Sequence, residues 1–252
     1  MIDRLLDAAK LSVDNADALW RREEQTAVSF ESGRLKAAGI SEEAGLNLRV
    51  VSKGRAGVAG TTSVTPDPDA LVARASASAE LGELVELAFP AGSKSPLPPI
   101  PTFFDRTANA SLDDLIRMGK RLVERLERPD CQVNVSVARE VADTAVGNSA
   151  GARGEYRTSR LAVSADITRI AGDDVLMIYD YYFGAEMPTD ADFETLVRSI
   201  ETRFTAALTV VAPPEGALPV VFTPAGLAAV VLPLEQALSG KTVLQGSSPL
   251  AG

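Results

Sequence analysis

The sequence predicts an α+β protein built from two successive helix–antiparallel sheet–helix units, followed by the first strand and helix of an incomplete third domain. Three observations predict this class. Apolar residues recur at helical spacing at the start of each unit, long runs then alternate with period two, and glycine-containing turns join those runs into hairpins. Helices packed on one face of such hairpins give an α+β architecture.

The first unit opens with a short amphipathic helix that ends near Asn15. Residues 16–62 then have strand character, with a turn at 32–33 and a hairpin turn at 52–55. A second helix starts after Asp67, because aspartate is a preferred cap and Pro68 suits the first helical position. We assign residues 1–89 to an N-terminal α+β domain.

A proline-rich stretch separates the two units. Five prolines lie between residues 90 and 101, so residues 90–107 are predicted to be an extended linker. A central α+β domain is expected over residues 108–212. Residues 213–252 are expected to be the start of a truncated C-terminal domain.

The central domain begins where Ser111 caps a helix with Asp114 three residues on, a carboxylate version of the capping box. Strands follow, joined by turns at 147–151 and 172–174, and a helix ending near Leu208 closes the unit. Period-two aromatic residues on a sheet are usually covered, so we predict that the last strand buries its apolar stripe in the core or under a helix. The alternative is a peptide- or base-stacking surface. That stripe comprises Met177, Tyr179, Tyr181 and Phe183.

The third unit is predicted to contain a strand at 220–222 and a helix at 225–238. This helix is apolar nearly all round, which is typical of a helix buried by a surrounding domain. Because most of that domain is missing, we predict that the 225–238 helix either mediates self-association or is poorly ordered.

Composition excludes several function classes. The chain has no histidine, and Cys131 is its only cysteine, so imidazole-based catalysis and zinc sites built on histidine or clustered cysteine are excluded within it. A net charge of −9 and an isoelectric point near 4.7 argue against nucleic acid and anionic membranes as partners. No apolar run approaches the ~20 residues that span a bilayer, and no signal peptide is present, so the cytoplasm is expected.

No residue-level active site is predicted. The acidic pairs at 42–43, 113–114 and 173–174 offer carboxylates for a divalent metal ion, but the last two suit turns and helix starts better. The glycines between 147 and 154 fit a hairpin turn better than a phosphate loop. We therefore predict no catalytic, cofactor-binding or metal-binding residue in this chain, and no cofactor.

Three stretches, taken in order, resemble the TldD/PmbA family, whose members are often labelled modulators of DNA gyrase and regarded as metallopeptidases. Residues 45–59 resemble the family's glycine-punctuated N-terminal hairpin. Residues 133–151 are similar to the strand and Asn-Ser-x-Gly turn of its central domain. Residues 220–248 resemble the PmbA (TldE) branch.

In the TldD branch, the resemblance would imply a zinc-binding His-Glu-x-x-x-His helix. Carried onto this sequence, its three functional positions fall on Pro233, Leu234 and Leu238, and none is kept. A break in the helix is predicted at Pro233. The family's third ligand, a C-terminal cysteine, would lie beyond Gly252.

The resemblance therefore implies a non-catalytic, zinc-less PmbA (TldE)-like subunit. Such a subunit would form a heterodimer with a TldD-type zinc protease subunit and contribute to proteolysis of peptides or unfolded proteins. The alternative is a free-standing protein- or peptide-binding regulatory module that uses an exposed sheet edge, or a non-functional fragment. Hydrolysis by a carboxylate-bound metal ranks last.

Overall fold

The computed structural model describes residues 1–63, 65–93 and 99–250 and divides into two compact units, Met1–Thr209 and Val210–Gly252. In the described residues, no helix has the length and hydropathy needed to cross a membrane. The elements of the first unit are, in chain order, α1 (Ile2–Lys10), β1 (Asn15–Glu31), β2 (Arg34–Ser52), β3 (Arg55–Thr61), α2 (Pro68–Glu80), α3 (Asp105–Ala108), α4 (Leu112–Leu126), β4 (Cys131–Asn148), β5 (Arg153–Ala171), β6 (Asp174–Gly184) and α5 (Asp190–Ala207).

All six strands form one antiparallel sheet in the order β3-β2-β1-β4-β5-β6. The predicted α+β class is confirmed, but the two sets of strands do not form separate sheets. They join because β1 and β4 pair from Asp17↔Asn148 to Phe30↔Val135. This pairing satisfies backbone groups that would otherwise stand exposed at two long strand edges. The division into domains 1–89, 90–107, 108–212 and 213–252 stays a prediction.

Two hydrophobic cores lie side by side on one face of this shared sheet. The first core packs α1 and α2 on β1, β2 and β3, and the second packs α4 and α5 on β1, β4 and β5. Strand β1 serves both, since Ala16 and Ala18 lie in the first core whereas Val28 and Phe30 lie in the second. The two units seen in the sequence thus correspond to two cores on one sheet.

Local sequence signals fix where the elements begin. The Asp67 carboxylate accepts a hydrogen bond from the Asp69 N–H at the start of α2, as predicted. The capping box of Ser111 and Asp114 at α4 is also confirmed. In the β2–β3 turn, Lys53 and Gly54 both adopt left-handed conformations, with φ of 51° and 72°, as a two-residue hairpin requires.

Part of the predicted linker lies outside the described residues, namely residues 94–98. The rest of that segment is attached to the sheet. Ala91 bridges to Gly151, and the Ser159 N–H donates to the Thr102 carbonyl oxygen over 2.9 Å. The short helix α3 begins inside the predicted 90–107 linker and ends one residue beyond it.

The second unit contains α6 (Pro224–Leu238) and α7 (Gly240–Leu244). The predicted helix forms, but the strand expected at 220–222 does not, and both elements described in this unit are helices. The break expected at Pro233 was also wrong: α6 runs through it, because proline removes one hydrogen bond while neighbouring turns keep theirs. Self-association through this helix stays a prediction.

Candidate functional site

The face of the sheet opposite the helices carries a floor of small side chains in its centre. Because side chains alternate along each strand, residues paired directly across the ladder share a face. One row runs Ser29, Ser136, Ser164, Tyr181, and the next runs Ala27, Ala138, Ala162, Phe183. We name this surface the open face. It offers a shallow floor of alanine and serine bordered by aromatic rings on β6.

The apolar stripe on β6 is exposed, which corrects the prediction that it is covered. Met177, Tyr179, Tyr181 and Phe183 expose 60–65% of their surface. The intervening residues of β6, among them Ile178, pack against the second core instead. Since α4 and α5 cover only that side of the sheet, the aromatic rings lie on the uncovered side. The alternative interpretation, a stacking surface, is the one compatible with this exposure.

A network of charged side chains lies at one end of the open face. Arg21 donates hydrogen bonds to the carboxylates of Glu23 and Glu140, both over 2.7 Å, and Arg160 reaches Glu140 over 3.4 Å. The hydrogen bond that Arg21 donates to Glu23 raises the pKa of the Arg21 guanidinium, and the charge of Glu140 adds to the effect. The Arg21 guanidinium therefore stays ionised and paired with carboxylates at the end of the floor.

A second polar region crosses the helix-covered face, where the two cores meet. Arg139 is buried there and donates to the Glu24 carboxylate, to the Thr26 hydroxyl over 2.7 Å, and to the Ala108 carbonyl oxygen. The sequence does not indicate this pair, because Arg139 and Glu24 lie far apart in the chain. The pair satisfies charge between the cores rather than forming a reactive site.

A cleft of about 900 Å³ opens beside this polar region, lined in part by Trp20, Asp143, Arg153 and Arg157. Two ion pairs lie along it: Arg157 donates to Asp143 over 2.8 Å, and Arg153 donates to Asp3 over 2.7 Å.

The residues do not fit the zinc site that the resemblance implies. Pro233, Leu234 and Leu238 supply no metal ligand. In the described part of the chain, no three His, Cys, Asp or Glu side chains come together as a metal site. The acidic pairs have structural roles instead: Asp114 caps α4, and Asp174 lies 3.6 Å from Arg169. The chain's only cysteine, Cys131, is half-buried at the start of β4.

The fold and this surface define an α+β protein with a two-core antiparallel sheet and one open face. Residues 16–80 match the family model described as PmbA/TldA metallopeptidase domain 1. Over these residues the sequence matches the same family that the sequence resemblance suggested.

Solved structures share the fold along nearly the whole chain. TldE from Thermococcus kodakarensis is 21% identical, with a TM-score of 0.83 over 99% of this chain and 57% of that one. A putative modulator of a DNA gyrase from Thermotoga maritima is 17% identical, with a TM-score of 0.82 over 99% of this chain and 57% of that one. A putative modulator of DNA gyrase from Bacteroides thetaiotaomicron is 21% identical, with a TM-score of 0.87 over 100% of this chain and 59% of that one.

These identities are low, so the likeness shows the fold alone. The chain spans less than three fifths of the length of the three solved structures. The sequence has no significant match among the curated proteins.

Proposed function

We propose that this chain is a zinc-less, PmbA (TldE)-like subunit that contributes to peptide processing or proteolysis through a TldD-type catalytic partner. One observation carries the proposal. The chain has the fold of a TldE along nearly its whole length, while none of its 252 residues is a histidine. A His-Glu-x-x-x-His zinc helix therefore cannot lie within it, and the metal would come from the partner.

The open face supports a role in holding a peptide. Exposed rings at Tyr179, Tyr181 and Phe183 give apolar contact area at low conformational-entropy cost. The small side chains beside them let an extended backbone approach the sheet closely. An unfolded polypeptide fits this surface because aromatic contact tolerates many sequences.

Co-expression with a TldD-type chain that carries the His-Glu-x-x-x-His motif tests the proposal. We expect a complex with one zinc per catalytic chain that cleaves a fluorescently labelled unfolded protein, and no cleavage by this chain alone. Replacing the partner's glutamate by glutamine should abolish cleavage and leave the complex intact. Cleavage that survives this change, or failure to form a complex, would contradict the proposal.

A second candidate is a free-standing regulatory module that binds by strand addition, and an uncovered strand edge favours it. The edges of β6 and β3 each carry a side-chain contact to the backbone. Arg203 donates to the Tyr179 carbonyl oxygen over 2.7 Å and to Asp180 over 2.9 Å at the first, and Ser78 accepts from the Val58 N–H over 3.4 Å at the second. The first part of β2 has no such protection. Tight peptide binding by the chain alone, with no complex formed with a TldD-type subunit, would favour this candidate.

A further inference from the structure

Residues 34–45 of β2 form a bare strand edge. Strand β3 pairs only with the later part of β2, from Leu46↔Thr61 to Ser52↔Arg55. Within the described residues, β1 is the only strand beside residues 34–45, and no hydrogen bond occupies their outer backbone groups. Residues 34–43 are all exposed, and Ile40 exposes 64% of its surface. Such an edge is a template for another strand.

We propose that this edge pairs antiparallel with the same edge of a second copy of the chain, which makes a two-fold symmetric dimer with a continuous twelve-stranded sheet. The dimer goes beyond the proposed peptide-processing role and does not depend on it. A two-fold axis perpendicular to the sheet pairs a strand with itself only in antiparallel orientation. Each residue then faces one equally far from the axis, on the same face of the sheet.

The side chains favour a register centred on Gly39. In that register Ala38 faces Ile40 of the second copy, and Ala37 faces Ser41, so a large apolar residue lies beside a small one. The Cβ position of Gly39 has no atom within 4 Å, so the close approach at the axis meets no obstruction within the chain. The exposed Ile40 side chains become partly covered on both sides of the axis.

A β-bulge brings unlike charges together at both ends of this ladder. The β1–β2 register passes from Ser29↔Ala37 to Phe30↔Leu35, so Lys36 is an extra residue. If Lys36 is left out of the count, the proposed register places Arg34 of one copy opposite Glu43 of the other. The two-fold axis produces the same Arg34–Glu43 pair a second time at the other end of the ladder. In the described part of the chain, neither side chain has an ion-pair partner of its own. Parallel or out-of-register pairing would lose both contacts.

Charge reversal tests the dimer in the full-length chain. We expect sedimentation equilibrium to show a monomer–dimer equilibrium for the unaltered protein. Arg34→Glu or Glu43→Lys alone should weaken the dimer at least about tenfold, since like charges then face each other twice. The double variant Arg34→Glu/Glu43→Lys should restore dimerisation. Glu124→Lys on exposed α4, with the same charge change as Glu43→Lys, should have no such effect.

Cross-linking gives a second measurement that does not depend on charge. Because Cys131 is the only cysteine, Cys131→Ser provides a background without thiols. Gly39→Cys in that background should form a disulfide-linked dimer on mild oxidation, because directly opposed residues have Cα atoms about 4.5–5.5 Å apart. A protein that stays monomeric, or a dimer that neither responds to the charge reversals nor cross-links at position 39, would overturn the proposal.

Discussion

Arg139 of β4 donates a hydrogen bond to the Glu24 carboxylate of β1 at the junction of the two hydrophobic cores. The guanidinium is almost fully buried, and it also holds the Thr26 hydroxyl and the Ala108 carbonyl oxygen. One side chain therefore ties both central strands to the segment that leads into α4. This contact pairs the buried charge at the place where one sheet passes from the first core to the second.

Replacing this arginine should destabilise the protein. Arg139→Met keeps most of the side-chain volume but leaves Glu24 and two buried oxygens without their donor. We expect the free energy of unfolding to fall by about 2–3 kcal/mol, measured by urea denaturation. Arg160→Met is a matched control, since that exposed guanidinium makes one long contact and should change stability by less than about 0.5 kcal/mol. Equal effects of the two substitutions would contradict this account.

The close packing of α2 on β3 depends on Gly57. A Cβ atom there would lie 2.2 Å from the Ala75 carbonyl oxygen and 2.4 Å from the Ala79 nitrogen. Because both are backbone atoms, the helix must move away, and we expect Gly57→Ala to lower the free energy of unfolding by about 2–3 kcal/mol. Gly240→Ala, in open space, is the matched control and should change it by less than about 0.5 kcal/mol. Thermal unfolding of both variants measures the difference.

Two helix caps make stability depend on pH. The Ser111 hydroxyl and N–H hold the pKa of Asp114 below its ordinary value, and Thr189 does the same for the pKa of Asp192. Because the folded state lowers these pKa values, their contribution is present above the ordinary carboxyl range and is lost as the pH falls through the folded values.

Urea unfolding at neutral pH and near pH 3 checks this sign. The unaltered protein should lose more stability on acidification than Asp114→Asn/Asp192→Asn, which has no carboxylates at the caps. Asp113→Asn is the control, because in the described structure Asp113 makes no capping hydrogen bond. An identical acid response of the double variant and the unaltered protein would show that the caps do not carry this dependence.

The aromatic side chains of the open face should determine peptide affinity. Tyr181→Ser/Phe183→Ser removes two exposed rings, so we expect affinity for a labelled unfolded peptide to fall at least about fivefold, measured by fluorescence anisotropy. The free energy of unfolding should stay within about 1 kcal/mol, because neither ring packs in a core. Leu81→Ser removes a residue that is 94% exposed at the end of α2 and should leave the affinity unchanged.

The sequence predicted local structure correctly where contacts between close neighbours in the chain determine it. Asp67 before Pro68, and Ser111 before Asp114, fix helix starts through contacts within three residues. The joining of the strands into one sheet did not follow, because alternation shows which side chains share a face but not which strand lies alongside. Each hairpin was compatible with a sheet of its own.

The open face could not be predicted from the sequence. Along β6 both alternating sets are largely apolar, with Leu176 and Ile178 on one side and Tyr179 and Tyr181 on the other. Such a pattern does not indicate which side the helices cover, and here they cover the aliphatic side. The bare edge at 34–45 could not be predicted from the sequence either. Every residue from 34 to 43 is exposed, so burial does not alternate with period two along this segment.

Native mass spectrometry after co-expression with a TldD-type chain tests the central claim most directly. The account predicts a complex that contains this chain, its partner and one zinc bound through the partner's histidines, while this chain alone carries no stoichiometric zinc. A chain that binds zinc stoichiometrically and cleaves an unfolded protein by itself would contradict the account, as would the lack of any complex between the two chains.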